Sequence, residues 1–512
     1  MPDVQVAIIG FGPSGAVAAG LLGQAGITTL AIDKTVEIFP KPRAIAVDHE
    51  IMRLFDNMGV AAEVLPHTAP FTASEHFGAE GQLIRRIDMV PAPYPMGYVP
   101  SMVFTQPPVE RALRAHAASF PGLEIALGTA LERLEQDADG VTLHLRTADG
   151  SARQVRAAYV IGCDGAASLV RKQLGIALED LVFDEPWLVI DVMLNPGAEA
   201  RLPDKARQYC EPQRPTTYLL GPGLHRRWEI MLLPGEDRFA MEDPDQVWKL
   251  LARWITPQDG TLWRATSYRF HALVAREWRD RRVFIAGDAA HQQPPFIGQG
   301  MCQGLRDVSN LVWKLIAVLG GEANETLLDS YAVERSAHVR ELTSRIKAIG
   351  HVICERDPDG ARARDARILA EGGGVARTIT RQEIVPKLSC GLLSEHAHPA
   401  NGTLFPQPLV RDGQTTALLD AVAGTGWRLV IDARLSPLTA PPGVRPIIIG
   451  PGHIEECEGV VARWFEAQGC VAALVRPDHY VFGVAGDEAE IAARVSEYQA
   501  CLTKPQPAFS TT

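Results

Sequence analysis

The sequence predicts a mixed α/β protein: a Rossmann-like nucleotide-binding domain, a mostly antiparallel sheet inserted into it, and a further α/β domain at the C-terminal end. Three observations carry this expectation. Residues 4–33 read strand, glycine turn, helix, strand. The stretch from about 180 to 275 breaks into short strand-like runs separated by turns. From about residue 400, short strands alternate with helices. A chain of 512 residues exceeds one core, and ordinary domain sizes imply roughly two to four domains.

The first element is "VQVAIIG", a short buried strand. "PSGAVAAGLLGQAG" follows with helical spacing and Pro13 in its first turn, and "TTLAID" is the second strand. The turn between them, "GFGPSG", matches G-x-G-x-x-G at Gly10, Gly12 and Gly15. Gly10 permits the tight turn, Gly12 lets the backbone approach a pyrophosphate, and Gly15 allows close helix–strand packing. The helix N-terminus offers N–H groups to the same pyrophosphate. Asp33 closes the second strand, where an acid binds ribose hydroxyls and favours FAD or NAD over a 2′-phosphate. Pro13, Ser14 and Lys34 join these positions as candidate contacts.

Two later segments repeat the theme of a strand ending in glycine and acid. "AAYVIGCDGAASLVRKQLG" ends a strand at Asp164-Gly165 and opens a helix that carries Arg171. "RVFIAGDAAHQQPPFIGQGMCQGLRDVSNLVWKL" ends a strand at Gly287-Asp288, then places Pro294, Pro295, Gly298 and Gly300 before a long helix. Any one of them reads equally as a capped turn. Three together read as one site assembled from distant parts of the chain.

Between these segments, "WLVIDVML", "RQYCEP", "TTYLLGPG" and "RRWEIMLLPGE" have strand composition with turn breaks. After the long helix, "LLDSYAVERSAHVRELTSRIKAIGHVI" continues as helices packing back on the first domain. "SEHAHPANGTLFPQPLV" marks a boundary, and "WRLVIDAR", "VRPIIIG", "GVVARWFEAQG" and "VAALVRPDHYVFGVA" form the last α/β unit. "TKPQPAFSTT" reads as a loose tail. The expected division is 1–180 and 276–395 for the two parts of the nucleotide domain with its packing helices, 181–275 for the sheet, and 396–512 for the C-terminal domain.

The net charge of −11 argues against a nucleic-acid partner. No apolar run reaches the length of a membrane span, and the first one leads into a glycine motif rather than a cleavage site. Eight cysteines without C-x-x-C imply free thiols and a cytoplasmic location. No metal-ligand pattern stands out.

"GFGPSG", "GCDGAASLVR" and "AGDAAHQQPPFIGQGMCQGLRD", in that order and separation, resemble the single-component flavoprotein aromatic hydroxylases related to para-hydroxybenzoate hydroxylase. The stretch "QYCEPQRPTTYLLGPGLHRRWEIMLLPGE" is similar to the 3-(3-hydroxyphenyl)propionate hydroxylase subgroup. The resemblance implies FAD as cofactor, NADPH or NADH as transient reductant, O₂ as co-substrate and a phenol hydroxylated through a flavin C4a-hydroperoxide. By the same resemblance Asp288 binds the ribityl chain, Pro294 and Pro295 border the ring, and the amides near Gly300 and Met301 face its N1–C2=O edge. Arg43 matches an arginine that reaches the FAD phosphates or the reductant, and Gln106 a glutamine near the flavin. With no second complete G-x-G-x-x-G unit, pyridine nucleotide is expected on the FAD domain, with the Asp164-Gly165 segment implicated.

Substrate candidates are Tyr209, Tyr218, Trp228 and Met231, with Arg214, Arg226 or Arg227 as carboxylate partners; the alternative is core for the aromatics and surface for the arginines. His225 and His271 are open as helpers in phenol deprotonation, and no residue is identified as the base. His291 is expected to be structural and Cys302 a small buried residue. The C-terminal unit resembles the thioredoxin-like domain of phenol-hydroxylase relatives, without C-x-x-C, which implies a structural or homodimer-contact role. Rival readings keep FAD but epoxidise or reduce a non-phenolic substrate, or bind FAD without catalysis. A halogenase is disfavoured because W-x-W-x-I-P does not occur.

Overall fold

The computed structural model describes residues 2–435 and 443–503, so most of the C-terminal tail lies outside the described residues. Its first layer is an eight-stranded sheet. The strands Val283–Ile285, Ala152–Gly162, Val4–Ile9, Thr29–Asp33 and Leu123–Leu127 run parallel in that spatial order. These strands are rich in Val, Ile, Leu and Ala because both faces are covered, as a parallel sheet requires. The helices Pro13–Gln24, Gln106–Ala118 and Gly300–Leu319 belong to this layer. Ile9 pairs with Gly162 and Gly162 with Ile285. That register brings the three glycine/acid motifs to the carboxyl ends of adjacent strands, where ligands bind in open α/β sheets.

The second layer is a nine-stranded, mostly antiparallel sheet. Its spatial order is His291–Gln292, Gly260–Ala275, Leu178–Leu194, His225–Met231, Thr216–Leu220, Ala206–Tyr209, Ala73–Phe77, Leu83–Asp88 and Arg377–Thr380. The sheet thus takes in strands at 73–88 and 377–380, outside the stretch where the sequence shows strand-like runs. Both parallel joints in it, Ala206–Tyr209 with Ala73–Phe77 and Arg377–Thr380 with Leu83–Asp88, are made by these added strands. Side chains alternate between its faces. Tyr209, Tyr218, Trp228 and Ile230 face the helix Pro244–Leu251 and share a core with its Val247 and Leu251. Gln208, Thr217, Leu219 and Glu229 face the other way, toward the segment Pro295–Gly298.

The C-terminal part builds a four-stranded mixed sheet, ordered Arg445–Ile449, Arg428–Asp432, Ala472–Val475 and Val481–Ala485. Buried charges join it to the rest. Arg53 bonds Asp420 through Nε at 2.7 Å, and Arg476 bonds Glu334 at 2.7 Å. None of the eight cysteines is in a disulfide. Among the described residues no helix is long and apolar enough to cross a membrane.

Candidate active site

The glycine turn shows three distinct local demands. Gly10 has φ +97°, and a Cβ there would overlap the Cys163 carbonyl. A Cβ on Gly15 would overlap the carbonyl oxygen of Gly10, so helix and strand touch through backbone. Around Gly12, by contrast, a Cβ would meet no protein atom within 4 Å. The first bond of the helix runs from the Ala16 N–H to the Gly12 carbonyl at 2.8 Å, which leaves the Ser14 and Gly15 N–H groups without a protein acceptor. Open space beside unpaired N–H groups at a helix start fits a pyrophosphate. Asp33 accepts the Phe11 N–H at 2.9 Å and both the N–H and hydroxyl of Thr35 at 2.8 and 2.7 Å. A carboxylate has about four acceptor sites, so one remains for a ribose hydroxyl. Lys34 follows it, exposed.

Asp164 is engaged within its own turn. Its carboxylate caps the following helix, accepting the Ser168 hydroxyl at 2.5 Å and the Leu169 and Val170 N–H groups at 2.7 and 3.1 Å. Gly165, with φ +79°, makes that turn possible. Arg171 then ties the cap to the next segment through Nη1 and the Ala289 carbonyl, 2.8 Å. The Asp164-Gly165 turn is thus held by its own helix and by the Gly287 segment.

Asp307, about two turns into the long helix, organises the Gly287 segment. It accepts the Gly287 N–H at 2.9 Å, His291 Nε2 at 2.7 Å and Arg335 Nε at 2.9 Å. His291 also stacks on Trp278, in keeping with a structural role. A Cβ on Gly304 would lie 2.5 Å from Ser14 Oγ and 3.0 Å from Gly287 Cα, so the two nucleotide segments close on each other through small residues. Asp288 is left uncommitted. Its side chain reaches solvent, accepts no hydrogen bond, and has its pKa raised by the protein packed around it, against the opposing pull of His291 and Arg43.

The segment then turns through Pro294 and Pro295 to Gly298, whose φ is +62° and whose Cβ would sit 2.7 Å from Ala46. The helix Gly300–Leu319 starts with no side-chain cap. Its first bond is from the Gln303 N–H to the Gln299 carbonyl, 2.9 Å, leaving the N–H groups of Gly300, Met301 and Cys302 unpaired. A Cβ on Gly300 would meet nothing within 4 Å. Such a helix start suits the N1–C2=O edge of a flavin, which becomes negative on reduction. These observations together fit FAD. Cys302 itself is buried beneath, its Sγ 3.7 Å from the Ala46 carbonyl.

Gln106 works through the backbone of its neighbours. Its Oε1 accepts the Ala44 N–H at 2.7 Å and the Arg43 N–H at 3.2 Å, which clamps the loop carrying Arg43. The Arg43 side chain is exposed and lies over the Phe39 ring. From the other side, Arg227 donates to the Arg43 carbonyl at 2.9 Å while paired with Asp191 at 2.7 Å. Arg227 is therefore scaffold.

Between Pro295–Gly298 and the sheet lies a narrow pocket of about 30 Å³. Apolar walls come from Ile45, Phe71, Val103, Leu219 and Phe296, and polar groups from Gln208, Thr217, Glu229 and Arg381. Glu229 is 3% exposed and makes no hydrogen bond, and burial raises its pKa to about 7. Arg381 donates Nη2 to the Ile297 carbonyl and lies over the Phe71 ring, leaving its other nitrogens unpaired.

None of the aromatics expected to line the pocket is found in it. Tyr209, Tyr218 and Trp228 are on the opposite face, in the core, where Tyr218 donates to the Pro203 carbonyl at 3.1 Å. Arg226 shares that face and bonds the Gly223 carbonyl at 2.8 Å. Met231 has the correct parity but is packed in the core beside the pocket and borders a larger surface groove, with Glu185, Arg238 and Tyr268, that includes no residue of the 287–301 segment. Arg214 pairs with Glu236 at 2.6 Å. His225 bonds Asp191 at 2.7 Å, and His271 lies 3.4 Å from Asp184 on another part of the sheet. The reason is alternation: in "RRWEIM" the aromatic and the acid point to opposite faces. Glu229, Arg381 and Asp307 do not stand out in the sequence. An acid flanked by Trp228 and Ile230 inside a strand is the one available signal for the first.

Adjacent strand ends carrying a dinucleotide cradle, an uncapped helix aimed at a ring position and a pocket beside it define an FAD-dependent oxidoreductase. The chain belongs to the FAD binding domain family, whose model matches residues 3–346; the HcaD C-terminal domain model matches residues 402–500. A probable NADH-specific resorcinol 4-hydroxylase of Rhodococcus jostii (strain RHA1) is 38% identical, over 98% of this chain and 95% of that protein. A 3-(3-hydroxy-phenyl)propionate/3-hydroxycinnamic acid hydroxylase of Mycobacterium sp. (strain JLS) is 32% identical, over 98% and 91%. In fold, the chain is similar to the flavin-dependent monooxygenase PieE, with TM-score 0.82, 24% identity and coverage of 98% and 99%. The expected FAD cofactor and the kinship with single-component flavoprotein hydroxylases are both borne out.

Proposed function

We propose that this protein hydroxylates a phenolic ring held between Pro295–Gly298 and the sheet, using O₂ and NADH. The pocket beside the ring-binding segment carries the reading: apolar walls to hold an aromatic ring, and two ionic groups to address its hydroxyl. NADH is favoured because the relative at 38% identity is named NADH-specific. Eight cysteines with no disulfide among them suit a reducing, cytoplasmic setting.

Bound FAD supplies the path by which two electrons from NADH activate O₂. The chain's own work is binding and exclusion. The N–H groups of Ser14 and Gly15 hold the pyrophosphate, Asp288 holds the ribityl hydroxyls, and the amides at Gly300 and Met301 stabilise negative charge on the ring edge. The walls of the pocket keep water from the reacting atoms.

The test is NADH and NADPH oxidation by the FAD-loaded protein with and without resorcinol, 3-(3-hydroxyphenyl)propionate and simpler phenols, with products identified by mass. Faster NADH oxidation together with a gain of one oxygen is expected for at least one phenol. Oxidation that no phenol stimulates, with no oxygenated product, overturns the proposal.

A further inference from the structure

The pocket has two titratable side chains among the described residues that line it, Glu229 and Arg381. Only one of them can take a proton. Glu229 sits on the strand His225–Met231 with Thr217 beside it on one neighbouring strand and Val189 on the other. Its carboxylate opens onto the pocket and accepts no hydrogen bond from another side chain, so a donor on a ligand there would be its partner. Of the other proton acceptors in the sheet, His225 is engaged on Asp191, His271 lies near Asp184 and Tyr268 meets Arg264, while His76, buried beside Gln208 with Nδ1 unpartnered, has its pKa pushed down to about 3 by burial and does not line the pocket.

We propose that Glu229 accepts the proton of the substrate's phenolic hydroxyl while Arg381, across the pocket, stabilises the negative charge that develops on that oxygen. This rests on the phenol-hydroxylase reading of the same pocket. In the step, the O–H bond breaks and its proton moves to the Glu229 carboxylate. The freed electron pair enters the ring, and a ring carbon forms a bond to one oxygen atom derived from O₂. That carbon then releases its hydrogen as a proton and aromaticity returns. The second oxygen atom leaves as water, the two electrons required coming from NADH.

The surroundings set the pH at which Glu229 can act. On its own strand Arg227 favours the carboxylate; on the strand Leu178–Leu194 Asp191 opposes it; on the strand Gly260–Ala275 Arg264 favours it. Arg381 lines the same pocket from the turn after Arg377–Thr380. Burial outweighs the favourable charges, and the acid titrates at about 7, near the value at which a general base is most effective. The basic form grows as pH rises through about 7, so hydroxylation should rise over the same interval.

The experiment compares the FAD-loaded wild type with Glu229→Gln and Glu229→Asp. Flavin content and the flavin absorbance change on adding phenol report folding and binding independently of turnover. Glu229→Gln is expected to bind FAD and phenol but to form product about 10²- to 10³-fold more slowly, without the rise near pH 7. Glu229→Asp should recover part of the rate. A fluorinated analogue of the same substrate, being more acidic, should narrow the gap between wild type and Glu229→Gln. A Glu229→Gln rate within a few fold of wild type, or one that keeps the rise near pH 7, overturns the base assignment while the hydroxylase reading stands. A wild type that oxygenates no phenol overturns both.

Discussion

Gly12 and Gly15 lie three positions apart and should respond oppositely to one added methyl group. Alanine at 15 overlaps the carbonyl of Gly10, a backbone atom that has nowhere to go, whereas alanine at 12 enters open space. Gly15→Ala is therefore expected to fail to give folded protein or to lose several kcal/mol, the range for steric conflict in a packed core (~1–3 kcal/mol or more). Gly12→Ala should unfold like the wild-type apoprotein yet bind FAD about tenfold or more weakly, because the methyl stands where the pyrophosphate meets the Ser14 and Gly15 amides. Circular-dichroism melts of the apoproteins and FAD titrations by flavin fluorescence separate the two effects. Equal FAD affinity in Gly12→Ala would remove the pyrophosphate from that site. The spacing of the motif is enough to make these glycine roles legible in the sequence. The same kind of pattern says less at Asp164, because an acid after a strand serves as helix cap or ligand contact with identical local sequence, and the cap shows only in the bonds to Ser168, Leu169 and Val170.

At the scale of one strand, "HRRWEIM" shows what alternation can and cannot say. The period of two is sufficient to put Trp228 and Glu229 on opposite faces. It does not say which face meets the helix Pro244–Leu251 and which meets the flavin segment, because that depends on elements far away in sequence. The strands Ala73–Phe77 and Leu83–Asp88 pose the same difficulty: their strand character is local, but their partners lie at 206–209 and 377–380. Trp228 is fully buried and packs 5.3 Å from Tyr218 and 6.2 Å from Trp254, ring centre to ring centre. Trp228→Ala should accordingly cost about 3–5 kcal/mol, the usual loss for a buried indole, read from denaturant unfolding. Its KM for the phenol should stay near the wild-type value. A raised KM with little loss of stability would mean that the substrate sits on the helix-covered face instead.

Across the whole molecule, the C-terminal part is joined to the rest by buried charges as well as by an apolar cluster in which Leu327 and Trp313 meet Trp427 and Phe482. Arg53 and Asp420 are 367 positions apart and bonded through two nitrogens, with Arg428 on the same carboxylate. Glu334 is held by Arg476 at 2.7 Å and Lys314 at 2.8 Å, and Tyr480 donates to Glu50 at 2.9 Å, which also pairs with Arg306. Arg306 in turn donates to Gln299, the residue before the flavin-edge helix, at 2.8 Å. No local pattern announces such pairings, so the sequence does not reveal them. Their arginines hold Asp420 and Glu334 below the usual carboxylate range despite burial, which gives the sign of the pH effect. This stabilisation is complete above the unfolded-chain value near 4 and is lost as pH falls through the lowered folded values. Removing one member of a buried pair leaves the other charge stranded, at about 3–5 kcal/mol each. A chain ending at residue 395 strands Arg53 and leaves Glu334 with Lys314 but without Arg476, a loss comparable to the whole stability of an ordinary domain of about 5–15 kcal/mol. That truncation is expected to purify without FAD or to aggregate, while the full chain melts in one transition that weakens below about pH 4. Calorimetry and flavin absorbance of the two proteins give the comparison. A truncated protein that keeps its FAD and melts within a few degrees of the full chain would show that the first 395 residues stand alone and that these pairs hold the C-terminal part in place without supporting the rest.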